Sequence, residues 1–382
     1  MFEYVYNVNV YIQTYVSTIN IKGYRNYITS LIGDVKSSSI IRSKKFICSK
    51  IQDMHVMRRK MDVKILDGGF GAQLSTHVGA KIDGDPLWTA RFLATNPDAV
   101  YATHLDFLRA GADIIETNTY QASISGLTKH LSISEEASKN LLAKAVELAK
   151  KAVDNYIKET SGNEEVENKN PLIAGSCGPY GASLHDGSEY NGAYGRTTSS
   201  QIIKQWHKSR IDVLVDAGID LLALETIPCY QEAEALVELL REYPNVKAWL
   251  SFSCERNSPN LADGSNFEEV ATRCYKMALP GQLVAIGVNC LAPSDVSGLL
   301  KNINRNEGNE FIPLIAYPNS GEIYSPTKGW VWNETCNSME SFIPEWLKFG
   351  VRYLGGCCRM YTDNIKSIRK EVSSFKKKNL LK

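Results

Sequence analysis

Residues 211–255 read IDVLVDAGIDLLALETIPCYQEAEALVELLREYPNVKAWLSFSCE. A stretch of helical period, 199–217, stops at Gly218, where a C-cap glycine belongs. A short apolar run, Leu221–Leu224, follows and ends in Glu225-Thr226. A second helical stretch, 230–242, leads to a second run, Ala248–Phe252, which ends in Ser253-Cys254-Glu255. Runs this short and this apolar suit strands covered on both faces, as in a parallel sheet.

The same unit recurs in both directions. Further strands are expected at Val63–Leu66, Asp113–Thr117, Leu172–Gly175, Ala285–Val288, Pro313–Ala316 and Tyr353–Leu354. Helices are expected near 97–110, 135–158, 266–278, 294–303, 339–349 and 362–375, some opened by capping residues such as Ser134 and Ser294. Gly111 and Gly350 occupy C-cap positions like that of Gly218. Eight alternations over about 310 residues predict a single-domain (β/α)8 barrel of the TIM type, whose usual size is about 250 residues or more. A doubly wound open sheet is the alternative. It would carry G-x-G-x-x-G after the first strand, and Asp67-Gly68-Gly69-Phe70-Gly71 lacks that spacing.

The 382 residues carry a net charge of +1, and 43 % are hydrophobic. Nothing global points to nucleic acid or a membrane, and no apolar run is long enough to span one. The charge is uneven. Residues 1–60 hold ten bases and three acids, so residues 61–382 hold 33 bases against 39 acids. The first 60 residues lack a compact apolar core for a secretory signal, and their basic character begins only at Lys22. They are read as an N-terminal extension, poorly ordered or an upstream mis-extension of the coding region. The barrel is assigned to 61–375, and a basic tail to 376–382. A cytoplasmic location is expected, with a mitochondrial one as the lesser alternative. Nine cysteines without a secretory signal favour reduced thiols over a disulfide framework. The sequence assigns no oligomeric state.

Active sites of this fold form where strands end. The residues there are Asp67, Glu116-Thr117-Asn118, Ser176-Cys177, Glu225-Thr226, Ser253-Cys254-Glu255, Asn289-Cys290, Tyr317-Pro318-Asn319 and Cys357-Cys358. Adjacent cysteines cannot easily bridge each other, and the two glycines before Cys357 allow a tight turn. Cys290, Cys357 and Cys358 would give three thiolates and one open position, the pattern of a catalytic zinc. Cys177 and Cys254 are rival ligands, read as wall residues. None of the six histidines forms an H-x-x-x-H or H-E-x-x-H pair, which argues against a histidine-based metal site. Asp67 and Glu225 could together hold an ammonium group. The amides of Gly68 and Gly69 could receive a carboxylate. An ammonium receiver beside a carboxylate receiver suits an amino-acid substrate. Asn289, Tyr317 and Asn319 complete the candidate substrate-binding set.

These residues carry a family resemblance. Leu66-Asp67-Gly68-Gly69, Asp85-Pro86-Leu87-Trp88, Thr119-Tyr120-Gln121-Ala122, Gly175-Ser176-Cys177-Gly178-Pro179-Tyr180-Gly181-Ala182, Leu224-Glu225-Thr226-Ile227-Pro228, Gly287-Val288-Asn289-Cys290, Tyr317-Pro318-Asn319-Ser320-Gly321-Glu322 and Gly355-Gly356-Cys357-Cys358 occur in that order. Over about Ile65–Arg359 the chain resembles the homocysteine S-methyltransferases, the branch using S-methylmethionine or S-adenosylmethionine. The resemblance implies zinc on Cys290, Cys357 and Cys358. It implies that Asp67 and Glu225 receive the amino group of homocysteine. The partners are then small molecules only, and the product is methionine. Trp88, Tyr120, Tyr180, Tyr317 and Glu322 are candidates to face a sulfonium donor. Alternatives are selenocysteine or another small thiol as acceptor, betaine as donor, or a catalytically silent zinc-binding barrel.

Overall fold

The computed structural model describes residues 62–79, 82, 84–162, 170–305, 311–325, 329–331 and 338–380. The expectation for residues 1–60 lies outside them.

Eight parallel strands form the ring: β1 (Lys64–Ile65), β2 (Ile114–Glu116), β3 (Leu172–Cys177), β4 (Leu221–Ile227), β5 (Lys247–Phe252), β6 (Leu283–Asn289), β7 (Leu314–Tyr317) and β8 (Val351–Leu354). They lie in the order β1-β8-β7-β6-β5-β4-β3-β2. A parallel bridge from Leu66 to Ile114 joins the two ends, so the sheet closes and the doubly wound alternative falls. The helices that follow the strands are α1 (Pro97–Ala110), α2 (Glu135–Thr160), α3 (Ser200–Asp216), α4 (Tyr230–Leu240), α5 (Phe267–Met277), α6 (Pro293–Leu300), α7 (Ile343–Phe349) and α8 (Thr362–Leu380).

Local chemistry explains the boundaries. Ser134 caps α2 by accepting the Ala137 amide at 3.1 Å. Gly111, Gly218 and Gly350 have φ of 103°, 78° and 112°, which only glycine adopts freely before the next strand. Two expectations shift. Ser294 lies inside the first turn of α6, because Pro293 fits the first helical position and Ala292 precedes it. The Lys376–Lys378 run, read as tail, is part of α8. No helix among the described residues is long and apolar enough to cross a membrane.

Strand alternation sorts the core. Leu66, Ile114, Ala174, Leu221, Ala223, Trp249, Ala285, Ile315 and Tyr317 cluster together and fill the barrel. Their neighbours Ile65, Ile115, Ile173, Leu222, Leu224, Leu250, Ile286, Val288 and Leu314 belong to the larger cluster with the helices. Continued in steps of two, the inward phase reaches Glu116, Ser176, Glu225, Ser251 and, beyond Gly287, Asn289. Polar groups thus crown the packed interior, with one irregularity in β4, whose register shifts between Leu224 and Ile227.

Candidate active site

The thiols meet as the sequence predicts. Gly355 and Gly356 let β8 run hard against the end of β1. A Cβ on Gly355 would lie 2.6 Å from Leu66 Cβ, and one on Gly356 would lie 2.5 Å from Met360 Cβ. The Gly356 amide donates to the Asp67 carbonyl at 3.0 Å, and the Cys357 amide to the Pro318 carbonyl at 2.8 Å. On the far side, Cys290 leaves β6 with φ 58°, a left-handed turn that brings its thiol back over the mouth. Its amide donates to the Tyr317 carbonyl at 3.2 Å.

The Sγ–Sγ separations are 2.8 Å for Cys290–Cys357, 3.6 Å for Cys290–Cys358 and 4.0 Å for Cys357–Cys358. Hydrogen bonds from Cys290 and Cys357 hold the Cys358 thiol well below its ordinary range. Hydrogen bonds with Cys290 and Cys358, and then burial, push Cys357 up. Three thiols this close cannot all ionise without a cation between them. Tetrahedral thiolates at about 2.3 Å from an ion stand about 3.8 Å apart, so two separations already match and the third must open by about 1 Å. Donor chemistry and spacing therefore fit a thiolate-bound metal. Among the described residues this is the single cluster of its kind.

The rival thiols face elsewhere. Cys177 points to the helices and is fully buried, and burial pushes its thiol up to about 11. Cys254 lies against the same outer cluster. The seven described cysteines are free thiols.

Beside the thiols stand three carboxylates rather than two. Asp67 is 2 % exposed and Glu225 is 6 % exposed. The Glu116 amide donates to Asp67 Oδ2 at 2.8 Å. Glu225 accepts from the Ser176 hydroxyl and, at 3.3 Å, from Tyr317, and the Glu116 carboxyl is its neighbour. Burial, and then the charge of its neighbours, raises Glu116 well above the ordinary carboxylate range. Burial raises Asp67 and Glu225 as well. A packed trio of raised acids is a receiver for a cation. Sequence reading put Glu116 on the rim without a role. Its inward phase, two residues after Ile114, is the signal that names it.

Other candidates divide. Asn289 is fully buried, and both ends of its amide are spent on Thr226: Oδ1 accepts the Thr226 amide at 2.8 Å, and Nδ2 donates to Oγ1 at 2.7 Å. It holds Thr226, a β-branched residue at φ 58°, in a strained turn beside Glu225. Tyr317 lies inside the barrel, its hydroxyl accepting from Trp249 Nε1 at 3.0 Å, so it supports Glu225 from below. Asn319 shapes its own loop, Oδ1 accepting the Gly321 amide at 2.8 Å. The Gly69 amide is likewise taken by the Met360 carbonyl at 2.8 Å, which leaves Gly68 as the glycine donor for a carboxylate.

Of the donor-facing candidates, Tyr120 reaches the mouth. Its hydroxyl hydrogen-bonds Thr226 and, after burial, feels the charge of Cys290 most. The Trp88 ring meets it edge-on at 6.0 Å. The Tyr180 ring packs away on Trp206 at 5.3 Å, and Glu322 is paired with Arg359 at 2.9 Å. Tyr190, which sequence reading missed, is 55 % exposed, yet the charge of Cys290 raises its hydroxyl above the ordinary range, which marks it as a neighbour of the cluster.

Comparison with known proteins places the chain in a family. The family profile described as "Homocysteine S-methyltransferase" matches residues 64–372. The betaine-homocysteine S-methyltransferase of Drosophila melanogaster is 47 % identical over 313 residues, covering 81 % of this chain and 93 % of its own. The selenocysteine Se-methyltransferase of Brassica oleracea var. italica is 39 % identical over 321 residues, covering 81 % and 89 %. Among solved structures, the metallated form of the homocysteine methyltransferase MmuM from Escherichia coli superposes with a TM-score of 0.70 at 36 % identity, covering 82 % of this chain and 98 % of that one. The barrel, the match along nearly all of it and these relatives make this chain a methyltransferase that belongs to the homocysteine S-methyltransferase family.

Proposed function

We propose that the enzyme transfers a methyl group from a sulfonium donor, S-methylmethionine or S-adenosylmethionine, to the thiol of L-homocysteine, with zinc held by Cys290, Cys357 and Cys358. The observation that carries this is the pairing of three converging thiols with three acids at one barrel mouth, Asp67 and Glu225 buried and Glu116 partly so. A bound zinc would supply the Lewis acidity that keeps the acceptor sulfur as a thiolate at pH 7, where a free thiol of pKa about 8.5 is mostly protonated.

The chain's own residues do the rest. Asp67, Glu116 and Glu225 take the substrate ammonium, and the protons they hold in its absence leave as it enters. The Gly68 amide, beside the start of the helix Phe70–Val78, faces the substrate carboxylate. Tyr120 and Tyr190 present aromatic faces toward the sulfur, which attract an onium donor and exclude water. The donor leaves as a neutral thioether and the acceptor sulfur loses its negative charge, so no general base is required after transfer.

Betaine is the second reading, supported by the 47 % identity to a relative named for it. Betaine is also a methylated cation, and the same aromatic faces suit it. Purified enzyme with homocysteine, offered S-methylmethionine, S-adenosylmethionine and betaine in parallel, should turn over with a sulfonium donor. Turnover with betaine alone overturns the donor assignment. Turnover with none overturns the function.

A further inference from the structure

Behind Tyr120, away from the thiols, lies a buried ionic chain that the chemistry above does not use. Arg210 and His207 project from the apolar face of α3, among Ile203, Ile211 and Leu214, and both are 0 % exposed. The Arg210 guanidinium donates to the carbonyls of Gly178, of Tyr120 at 3.3 Å and of Ala122 at 3.5 Å. It also donates to His207 Nδ1 at 2.9 Å. Arginine can only donate, so Nδ1 accepts and the imidazole proton sits on Nε2. That proton goes to Glu232 Oε1, 2.7 Å away on α4. Glu232 is 0 % exposed, and it also accepts the Tyr180 amide at 2.6 Å and the Tyr194 hydroxyl. A neutral imidazole thus bridges a buried cation and a buried anion. Burial pulls His207 down to about 4, so it stays neutral at working pH.

Such a chain is a poor way to stabilise a fold, because desolvation offsets most of the attraction. What it fixes is position. The carbonyls it gathers belong to the loops after β2 and β3, and those loops interlock: the Gly178 amide donates to the Tyr120 carbonyl at 3.2 Å. A Cβ on Gly178 would lie 2.6 Å from the Tyr120 ring. Tyr120 and Tyr190, the two rings at the thiol cluster, are carried by these loops.

We propose that Arg210, acting with His207 and Glu232, is a positioning residue for the donor half of the active site: it locks the loops after β2 and β3 so that Tyr120 and Tyr190 stand over the sulfur, while touching neither substrate. The inference rests on the site reading given above. Group transfer is sensitive to such alignment, since a displacement of about 1 Å costs on the order of 100-fold.

The test uses the full-length metal-loaded enzyme and the donor that wild type accepts. Arg210→Lys keeps the charge but cannot span two loops. Expected are an unchanged metal content and, in cobalt-substituted protein, an unchanged spectral response to homocysteine. The KM for homocysteine should stay within about threefold, while kcat/KM for the donor falls by about 30-fold or more. Equal losses for both substrates, or no loss, overturn the proposal. If Arg210→Lys does not fold, Glu232→Gln and Tyr194→Phe carry the test, with a smaller loss again confined to the donor. Wild type that methylates no thiol defeats the functional reading. An active wild type with unaltered variants defeats this inference alone.

Discussion

Glu116→Gln tests the acid trio. In the substrate-free protein, burial and then neighbouring charge hold Glu116 above its ordinary range, so that it keeps its proton. A carboxyl whose folded pKa is raised contributes stability that is complete below the ordinary carboxylate range, about 4.5, and is lost as pH rises through the raised value. Substrate-free wild type should therefore lose stability from about pH 5 upward. One retained proton corresponds to about 1.4 kcal/mol per pH unit within that window. Glutamine keeps the shape, but it does not titrate. The variant should show a flatter profile and, near pH 8, melt about 1–2 °C above wild type, as about 1 kcal/mol would give in a domain of this size. The ammonium of homocysteine reverses the same equilibrium by drawing protons off the acids. Calorimetry in buffers of different ionisation enthalpy should count fewer protons released on homocysteine binding to the variant. Equal proton release, together with an unaltered pH profile of stability, would refute a proton-holding trio.

Asn289→Ala leaves the Thr226 amide without its acceptor and the Thr226 hydroxyl without one of its two partners in a buried, strained turn, so chemical denaturation should show a loss of about 1–3 kcal/mol. Turnover should fall with it, since Thr226 adjoins Glu225. Tyr317→Phe removes one hydroxyl from beneath Glu225, and steady-state kinetics should show the KM for homocysteine rising by about 3–10-fold with metal content unchanged. Cys357→Ser should reduce bound metal measured by elemental analysis and lower methyl transfer by about 1,000-fold or more, because one soft ligand is lost from a set of three.

The fold was legible because its signal is local and repeated. Each strand is a short apolar run, and Gly111, Gly218 and Gly350 stop helices where the next strand must begin. The thiols were legible for a related reason: Gly355 and Gly356 before Cys357 mark a close backbone approach in the sequence itself. Partners across the barrel were not. Asn289 looked like a ligand because it ends a strand, but its amide is consumed by Thr226, 63 positions away in the chain. Glu116 acquires its role only when the closed ring sets it beside Asp67 and Glu225. Arg210 did leave a trace, a charge on the apolar phase of α3 in step with Ile203, His207 and Leu214, but its partners come from two loops and a second helix. Tyr190 follows a glycine-rich turn with no periodic pattern, so nothing local aims it at the cysteines.

The central claim is that Cys290, Cys357 and Cys358 hold a zinc at which the acceptor sulfur binds. X-ray absorption at the zinc edge of the purified enzyme, recorded with and without selenohomocysteine, addresses it directly. The account predicts a sulfur-dominated shell at about 2.3 Å that loses amplitude in Cys357→Ser, and a zinc–selenium distance that appears on adding the ligand. A shell of nitrogen and oxygen, or no selenium at the metal when the enzyme is saturated, would contradict it.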